Sequence, residues 1–231
     1  MMRDREKTRI AIVDYALGNL YSVQAACSRV GMEADITSDH AAIEKADAVF
    51  LPGVGAFGNA MENLRRMDLV APLKDVAASG KPLVGICLGM QLFMSESYEF
   101  GHHQGLDLVA GEAIPFESPQ GPRGKLKVPQ VGWNTIHPPE ETPWAWVDSP
   151  LEPLARGSFM YFVHSFYIKP RDPEVWLSVT RYGDVTFCSG LSRENIIGFQ
   201  YHPERSGPAG ALVYQKLAEI IIRRKSHGDI R

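Results

Sequence analysis

The sequence predicts an α/β fold: a central, largely parallel sheet flanked by helices and carrying an antiparallel β extension. Three observations predict it. Over residues 10–80, short apolar runs alternate with stretches of helical spacing, the pattern of parallel β-α-β units. The run Pro82-Leu-Val-Gly-Ile86 then passes into Cys87 and a helical spacing with no loop between. From Leu108 onward the texture changes to short alternating runs parted by turn residues, which suits antiparallel strands.

The first strand is expected over residues 10–14. After Ala16-Leu-Gly-Asn19, a helix over 19–30 ends at Gly31, a residue type that tolerates the left-handed helix terminus. A second strand falls at 33–37 and a third at 46–51, breaking at Pro52-Gly53. Helical spacing occupies 60–66 and 70–79, and the strand that leads to Cys87 gives way to a helix over 88–95. Later strands are expected at 108–116, 125–128, 159–168, 176–182, 185–189 and 196–200, with Ser192-Arg-Glu-Asn195 as a turn. Residues 117–127, rich in Pro and Gly, read as a surface loop, and a last helix covers 209–224.

No repeat and no linker divides the chain, so residues 10–225 are expected to form a single domain with tails at 1–9 and 226–231. Its 231 residues suffice to bury a full core. Ligands of such a sheet bind at the C-terminal ends of the parallel strands, where Pro52 and Cys87 both fall. A net charge of −3 without a basic stripe argues against a nucleic-acid surface. The basic run Arg223-Arg-Lys225 fits the end of a helix, where cations complement the macrodipole. Three cysteines, Cys27, Cys87 and Cys188, give neither a disulfide framework nor paired metal spacing, and they fit a reducing cytoplasm. His102-His103 projects diverging side chains with no third ligand nearby in sequence, so no metal site and no cofactor are expected. The charged start lacks a signal-peptide core, and nothing reaches the roughly 20 apolar residues a membrane helix requires. A cytoplasmic location is the expectation.

Two segments carry chemistry. In Gly85-Ile-Cys-Leu-Gly89, glycines two residues either side of a nucleophile mark the tight strand-to-helix turn called a nucleophile elbow. They leave room for a strained backbone and close packing, and a helix N-terminus favours thiolate over thiol. A buried structural cysteine is the plain alternative. Weighing against it is Gly198-Phe-Gln-Tyr-His-Pro-Glu-Arg-Ser206. Pro203 keeps His202 out of the helical region, and an extended chain puts His202 and Glu204 on one face. The carboxylate then reaches one imidazole nitrogen while the other faces a nucleophile, the base and orienter of a catalytic triad. Leu88 N–H, directly after the nucleophile, is a natural oxyanion donor. Pro52-Gly-Val-Gly55 is either a strand-ending turn or a second source of donors, since glycines let a peptide plane rotate toward a substrate.

Together these residues resemble a class I (triad-type) glutamine amidotransferase. Leu51-Pro-Gly-Val-Gly-Ala-Phe57, Val128-Pro-Gln-Val-Gly-Trp-Asn134 and Tyr161-Phe-Val-His-Ser-Phe-Tyr167 resemble, within that family, the glutaminase subunits of imidazole glycerol phosphate synthases. The match runs in order from Ile10 to the C-terminal helix. The resemblance implies a flavodoxin-like fold and hydrolysis of L-glutamine to glutamate and ammonia through a cysteinyl thioester. It implies Cys87, His202 and Glu204 as the triad, with Leu88, Val54 and Gly55 around the oxyanion. It gives Gly53, Gln91, Glu99, Ser165 and Phe166 to the substrate. It also implies a heterodimer with a (β/α)₈-barrel cyclase that receives the ammonia, and for Trp133 either a place on that docking surface or a core position. Gln130, Phe166 and Arg205 depart from residues common in the family (His, Tyr and Lys), and none is the nucleophile or its base. Rival expectations are a glutaminase serving a purine or pyridoxal phosphate synthase, and a stand-alone γ-glutamyl hydrolase or cysteine peptidase.

Overall fold

The computed structural model describes residues 8–228. Strands and helices alternate at first: β1 (Arg9–Val13), α1 (Leu20–Arg29), β2 (Glu33–Thr37), α2 (His40–Lys45), β3 (Ala48–Gly53), α3 (Phe57–Arg66), α4 (Val70–Ala78), β4 (Leu83–Cys87) and α5 (Leu88–Gln91). Strands then dominate, beginning with β5 (Met94–Ser97), β6 (His103–Gln104), β7 (Val109–Pro115), β8 (Gln120–Gly121) and β9 (Gly124–Lys125). They continue as β10 (Gln130–Ile136), β11 (Ser158–His164), β12 (Phe166–Pro170), β13 (Trp176–Tyr182), β14 (Val185–Arg193) and β15 (Ile196–Phe199). The long helix α6 (Gly207–Gly228) closes the chain.

The parallel half of the main sheet has the order β2-β1-β3-β4-β15, and every neighbouring pair in it is parallel. Numbered along the chain, that is the 2-1-3-4-5 order of flavodoxin-like sheets. The central strands are buried on both faces, so Ala48-Val-Phe-Leu51 and Leu83-Val84 read as unbroken apolar runs. One apolar layer joins the sheet to α3 and α4 through Leu64, Leu73 and Val76. The other joins it to α1 and α6 through Val23, Val213 and Leu217. The sheet continues through β14, β12 and β7 to β5 and β6, with antiparallel pairing from β15 to β7. Apart from it, β10 and β11 pair as a small antiparallel sheet, with Gln130 opposite His164.

The structure corrects several expectations. The helix expected over 88–95 stops after one turn at Gln91, and Met94 opens β5. Leu88, Met90, Leu92, Phe93 and Met94 are all buried, so this run is apolar all round and its spacing does not reveal where the helix ends. The strand expected over 159–168 is two strands parted at Ser165, one in the small sheet and one in the main sheet. β3 does not break before Pro52-Gly53, because Pro52 pairs with Ile86 and Gly53 with Cys87. Unforeseen elements include β6, β10 and α2, the last capped by Asp39, whose carboxylate accepts from Ala42 N at 2.7 Å. Within the expected 117–127 loop, β8 and β9 make a short hairpin, and residues 126–128 are not strand. Arg9 already pairs in β1, and α6 reaches Gly228. Residues 1–7 and 229–231 of the expected tails lie outside the described residues. The basic end of α6 does more than complement its own dipole: Arg224 donates to the carbonyls of Gly80 and Glu194, and Lys225 pairs with Asp47.

Candidate active site

Cys87 ends β4 and opens α5 with φ 56° and ψ −112°. An L-residue there is strained, and such strain persists only where the surroundings enforce it. Gly89 supplies the enforcement. A Cβ on it would lie 1.7 Å from the Leu51 carbonyl oxygen, so α5 rests directly on the backbone of β3. A Cβ on Gly85 would meet the Phe93 ring at 2.6 Å. Only glycine permits this packing, and the packing turns Cys87 toward the C-terminal ends of the strands. Its thiol donates to the Val163 carbonyl at 3.8 Å, and Gln200 Nε2 lies 3.7 Å from Sγ.

His202 follows β15 in extended conformation (φ −104°, ψ 92°), its N–H donating to the Tyr161 carbonyl at 2.9 Å. Glu204 is not on a continuing extended chain, because Pro203 starts a single 3-10 turn over Pro203–Arg205. The pair meets nonetheless: His202 Nδ1 and Glu204 Oε1 are 2.8 Å apart and both side chains are buried. The turn is held from two sides. Ser206 Oγ donates to the His202 carbonyl at 2.7 Å and accepts from Tyr161 N at 3.0 Å. A Cβ on Gly210 would lie 1.8 Å from the Pro203 carbonyl oxygen, so α6 packs tightly on the turn. Arg205 stacks its guanidinium 5.3 Å over the Tyr161 ring. His202 Nε2 is buried and has no hydrogen-bond partner among the described residues. Burial draws its pKa down, but Cys87 and Glu204 together outweigh burial and push it up to about 10. The imidazole is therefore held toward its cationic form.

A cavity of about 260 Å³ opens in front of Cys87, lined by Val54, Gly55, Leu88, Gln91, Glu99, Ser165 and Phe166 among others. The expected oxyanion residues and all but one of the expected substrate residues thus meet at one place. The exception is Gly53. It lies beneath the cavity, where an added Cβ would strike Tyr15 Oη at 2.2 Å, while Tyr15 Oη donates to the Pro52 carbonyl at 2.9 Å. Gly53 is a packing residue that lets β3 lie on Tyr15, not part of the cavity wall. Glu99 faces the cavity but already accepts from Phe57 N at 2.6 Å, at the N-terminus of α3. Leu88 is the first residue of α5, so its N–H has no partner within the helix. Gly55 sits at φ +110°, a conformation that favours glycine.

Sequence reasoning missed Pro129, Val163 and His164 in the wall and Gln200 behind it. His164 is buried between the Phe166 carbonyl (2.8 Å from Nδ1) and the side-chain amide of Gln130 (3.1 Å from Nε2). Burial lowers its pKa to about 4, so it is neutral and donates only once. The Phe166 carbonyl can only accept, which places the proton on Nδ1 and leaves Nε2 an acceptor; Gln130 Oε1 stands 3.1 Å from it, so the amide has to turn its NH₂ there to donate. Gln130 thereby serves His164 as a neutral partner. Gln200 had a sequence signal: it stands two residues before His202, on the same face of an extended chain. Elsewhere His102 bonds to Glu96 at 2.8 Å while its neighbour His103 packs over Gly58, so the two rings diverge. Trp133 is 55% exposed, which excludes the core alternative.

Residues 11–219 match the family described as glutamine amidotransferase class-I. The chain is 43% identical over 209 residues to the imidazole glycerol phosphate synthase subunit HisH of Rhodopirellula baltica, covering 90% of this chain and 96% of that protein. It is 44% identical to the protein of the same name from Moorella thermoacetica, covering 92% and 95%. Among solved structures, PurLQS from Thermotoga maritima superposes with a TM-score of 0.68 at 18% identity, covering 95% of this chain and 99% of that one. That likeness speaks for the fold.

Proposed function

This chain belongs to the class I glutamine amidotransferases, and from that premise we propose how its residues perform the reaction. Its relatives place it as the glutaminase subunit of imidazole glycerol phosphate synthase, which sets aside the purine, pyridoxal phosphate and peptidase alternatives. One observation carries the residue assignment. A cysteine held at positive φ at a strand-to-helix turn faces a cavity, and it acts on a buried imidazole whose Nδ1 lies 2.8 Å from a carboxylate.

In this reading Cys87 passes its thiol proton to His202, Sγ attacks the side-chain carboxamide carbon of glutamine, and the C=O electrons move onto oxygen. Leu88 N–H and a donor from Val54 or Gly55 receive that oxyanion, each such donor contributing about 3 kcal/mol to the transition state. His202 passes its proton to the departing ammonia and leaves a glutamyl thioester. It then takes a proton from water, whose oxygen attacks the thioester carbon and releases glutamate and the thiolate. Glu204 holds the imidazole and stabilises its cation. Gln91 offers its oxygen to the substrate, since its nitrogen is spent on the Phe166 carbonyl (2.9 Å) and Gln200 Oε1 (3.0 Å). The carbonyls of Ser165 and Phe166 are likewise taken, by Phe116 N and by His164 with Gln91. What that segment offers the α-carboxylate of glutamine is donors. The carboxylate of Glu99 suits the α-ammonium.

The same reading assigns the acceptor of ammonia to a (β/α)₈-barrel cyclase in a heterodimer, in the cytoplasm. Ammonium is no nucleophile, so ammonia has to pass to its acceptor without equilibrating with water. Supporting a docked partner is an exposed apolar face on the small sheet, where Val131, Trp133 and Phe159 are each more than half exposed. Trp133 lies across from Tyr161 and Val131 across from Val163, whose carbonyl touches the nucleophile. The test is glutamine hydrolysis measured for the chain alone, with the cyclase, and with the cyclase plus its ribulosyl ligand. Turnover that survives Cys87→Ala would overturn the assignment.

A further inference from the structure

Gln200 stands at the middle of a buried amide chain whose orientation is settled by the acceptor at one end. It is wholly buried. The Phe166 carbonyl accepts and cannot donate. Gln91 Nε2 lies 2.9 Å from that oxygen and 3.0 Å from Gln200 Oε1, so Gln91 presents its NH₂ group to both. With those two hydrogens committed, Gln200 shows its oxygen to Gln91 and turns its own NH₂ the other way. There it meets Cys87 Sγ at 3.7 Å. The usual ambiguity between amide oxygen and nitrogen is removed by one backbone carbonyl.

Resting on the reading of Cys87 as nucleophile, we propose that Gln200 is a positioning residue for it, locked by Gln91 so that an amide N–H is held on the sulfur. A thiolate is a far better acceptor than a thiol, and a hydrogen bond to the charged form favours that form. The bond also opposes rotation of Sγ away from the cavity. Because Gln91 both lines the cavity and fixes Gln200, a ligand's contact with Gln91 is one link removed from the nucleophile. The chain runs Phe166, Gln91, Gln200, Cys87.

Alkylation of the full-length chain by iodoacetamide, followed from about pH 5 to 10 and read at the Cys87 peptide by mass spectrometry, tests this. Cys27 and Cys188 provide internal references, since burial pushes both thiols up, Cys27 to about 12. In Gln200→Leu the pH of half-maximal alkylation is expected to rise by about one unit, equivalent to about tenfold slower reaction on the acid side. Gln200→Glu, nearly isosteric, is expected to shift it further, because its carboxylate repels a thiolate; it carries the test if the leucine variant fails to fold. A purely structural role would lower stability and leave the profile in place. A reactive Cys87 whose profile ignores both substitutions overturns the proposal alone. An unreactive wild-type Cys87 overturns the nucleophile assignment and this proposal with it.

Discussion

At His202 and His164 the same burial ends in opposite charge states, because one imidazole gains partners for its cation and the other does not. His202 is raised to about 10 against an ordinary value near 6.5. Its contribution to stability is therefore complete below about pH 6.5 and is lost as pH rises through 10. His164 is lowered to about 4, mainly by burial. Between about pH 6.5 and 4 the unfolded chain takes a proton there that the folded chain refuses, so stability falls as pH falls through that window, by on the order of 3 kcal/mol. The two histidines together favour a maximum near pH 6.5. Urea midpoints across the range should show His202→Asn flattening the alkaline limb and His164→Asn the acid limb; a limb unchanged by its own substitution would remove that histidine as its source. Catalysis divides the triad differently. Cys87→Ser should lose glutamine hydrolysis by about 10³-fold or more while folding normally, and His202→Asn by a similar factor. Glu204→Gln should retain more, because an amide still accepts from Nδ1 at 2.8 Å. Equal losses at His202 and Glu204 in steady-state kinetics would point to another base. These three residues were legible in the sequence because glycines and a proline fix the backbone around them. Gln200 carried only a faint signal, since its place two residues before a histidine assigns it no role until its partners are placed.

The elements that carry the site are pinned by glycines where backbone meets backbone. Gly89 sets α5 on the Leu51 carbonyl, and Gly210 sets α6 on the Pro203 carbonyl. A methyl group at either place has only backbone to displace, which costs more than repacking a side chain. Gly89→Ala and Gly210→Ala should each lower stability by about 3 kcal/mol or more in denaturant titration, with activity falling as Cys87 or the His202 turn shifts. Gly31→Ala meets nothing within 4 Å and strains only its own φ of +81°, so about 1 kcal/mol is expected there. Losses at Gly89 no larger than at Gly31 would show that β3 and α5 separate freely. The parallel strands were visible in the sequence for the same reason they are stable: burial on both faces writes continuous apolar runs. β10 was not visible, because residues 131–135 are exposed or half-buried and no buried face imposes a period. The division at Ser165 was hidden as well. β11 and β12 are similar in composition, and only their partners, β10 on one side and β7 on the other, show that the chain changes sheets.

At the scale of the whole molecule, that change of sheet joins the outer surface to the chemistry. β11 contributes Phe159 to the exposed face, its Tyr161 ring meets Trp133 edge-on with centroids 6.0 Å apart, and its Val163 carbonyl receives the Cys87 thiol. Tyr161 also links both ways to the His202 turn, accepting from His202 N and donating to Ser206 Oγ. A partner seated on Trp133 and Phe159 therefore bears on the strand that touches nucleophile and base together. Across the cavity lie Val54 and Gly55, the latter at φ +110°, and a glycine peptide changes orientation at modest cost. If the resting orientation withholds one oxyanion donor, the isolated chain forfeits about 10²- to 10³-fold in rate. A liganded partner recovers it only by favouring one orientation over the other. Glutamine hydrolysis is thus expected to be slow in the isolated chain and strongly accelerated by the cyclase with its ribulosyl ligand. Trp133→Ala is expected to weaken the acceleration while leaving the slow basal rate intact, because the ring lies outside the cavity. Gly55→Ala probes the other wall and should depress the accelerated rate more than the basal one, since φ +110° is costly for alanine; proline is excluded there, its φ being fixed near −65°. Steady-state rates with and without cyclase and ligand decide the matter. A full rate in the isolated chain, indifferent to the liganded cyclase, would mean that the donor is already in place and that the exposed face does not govern it.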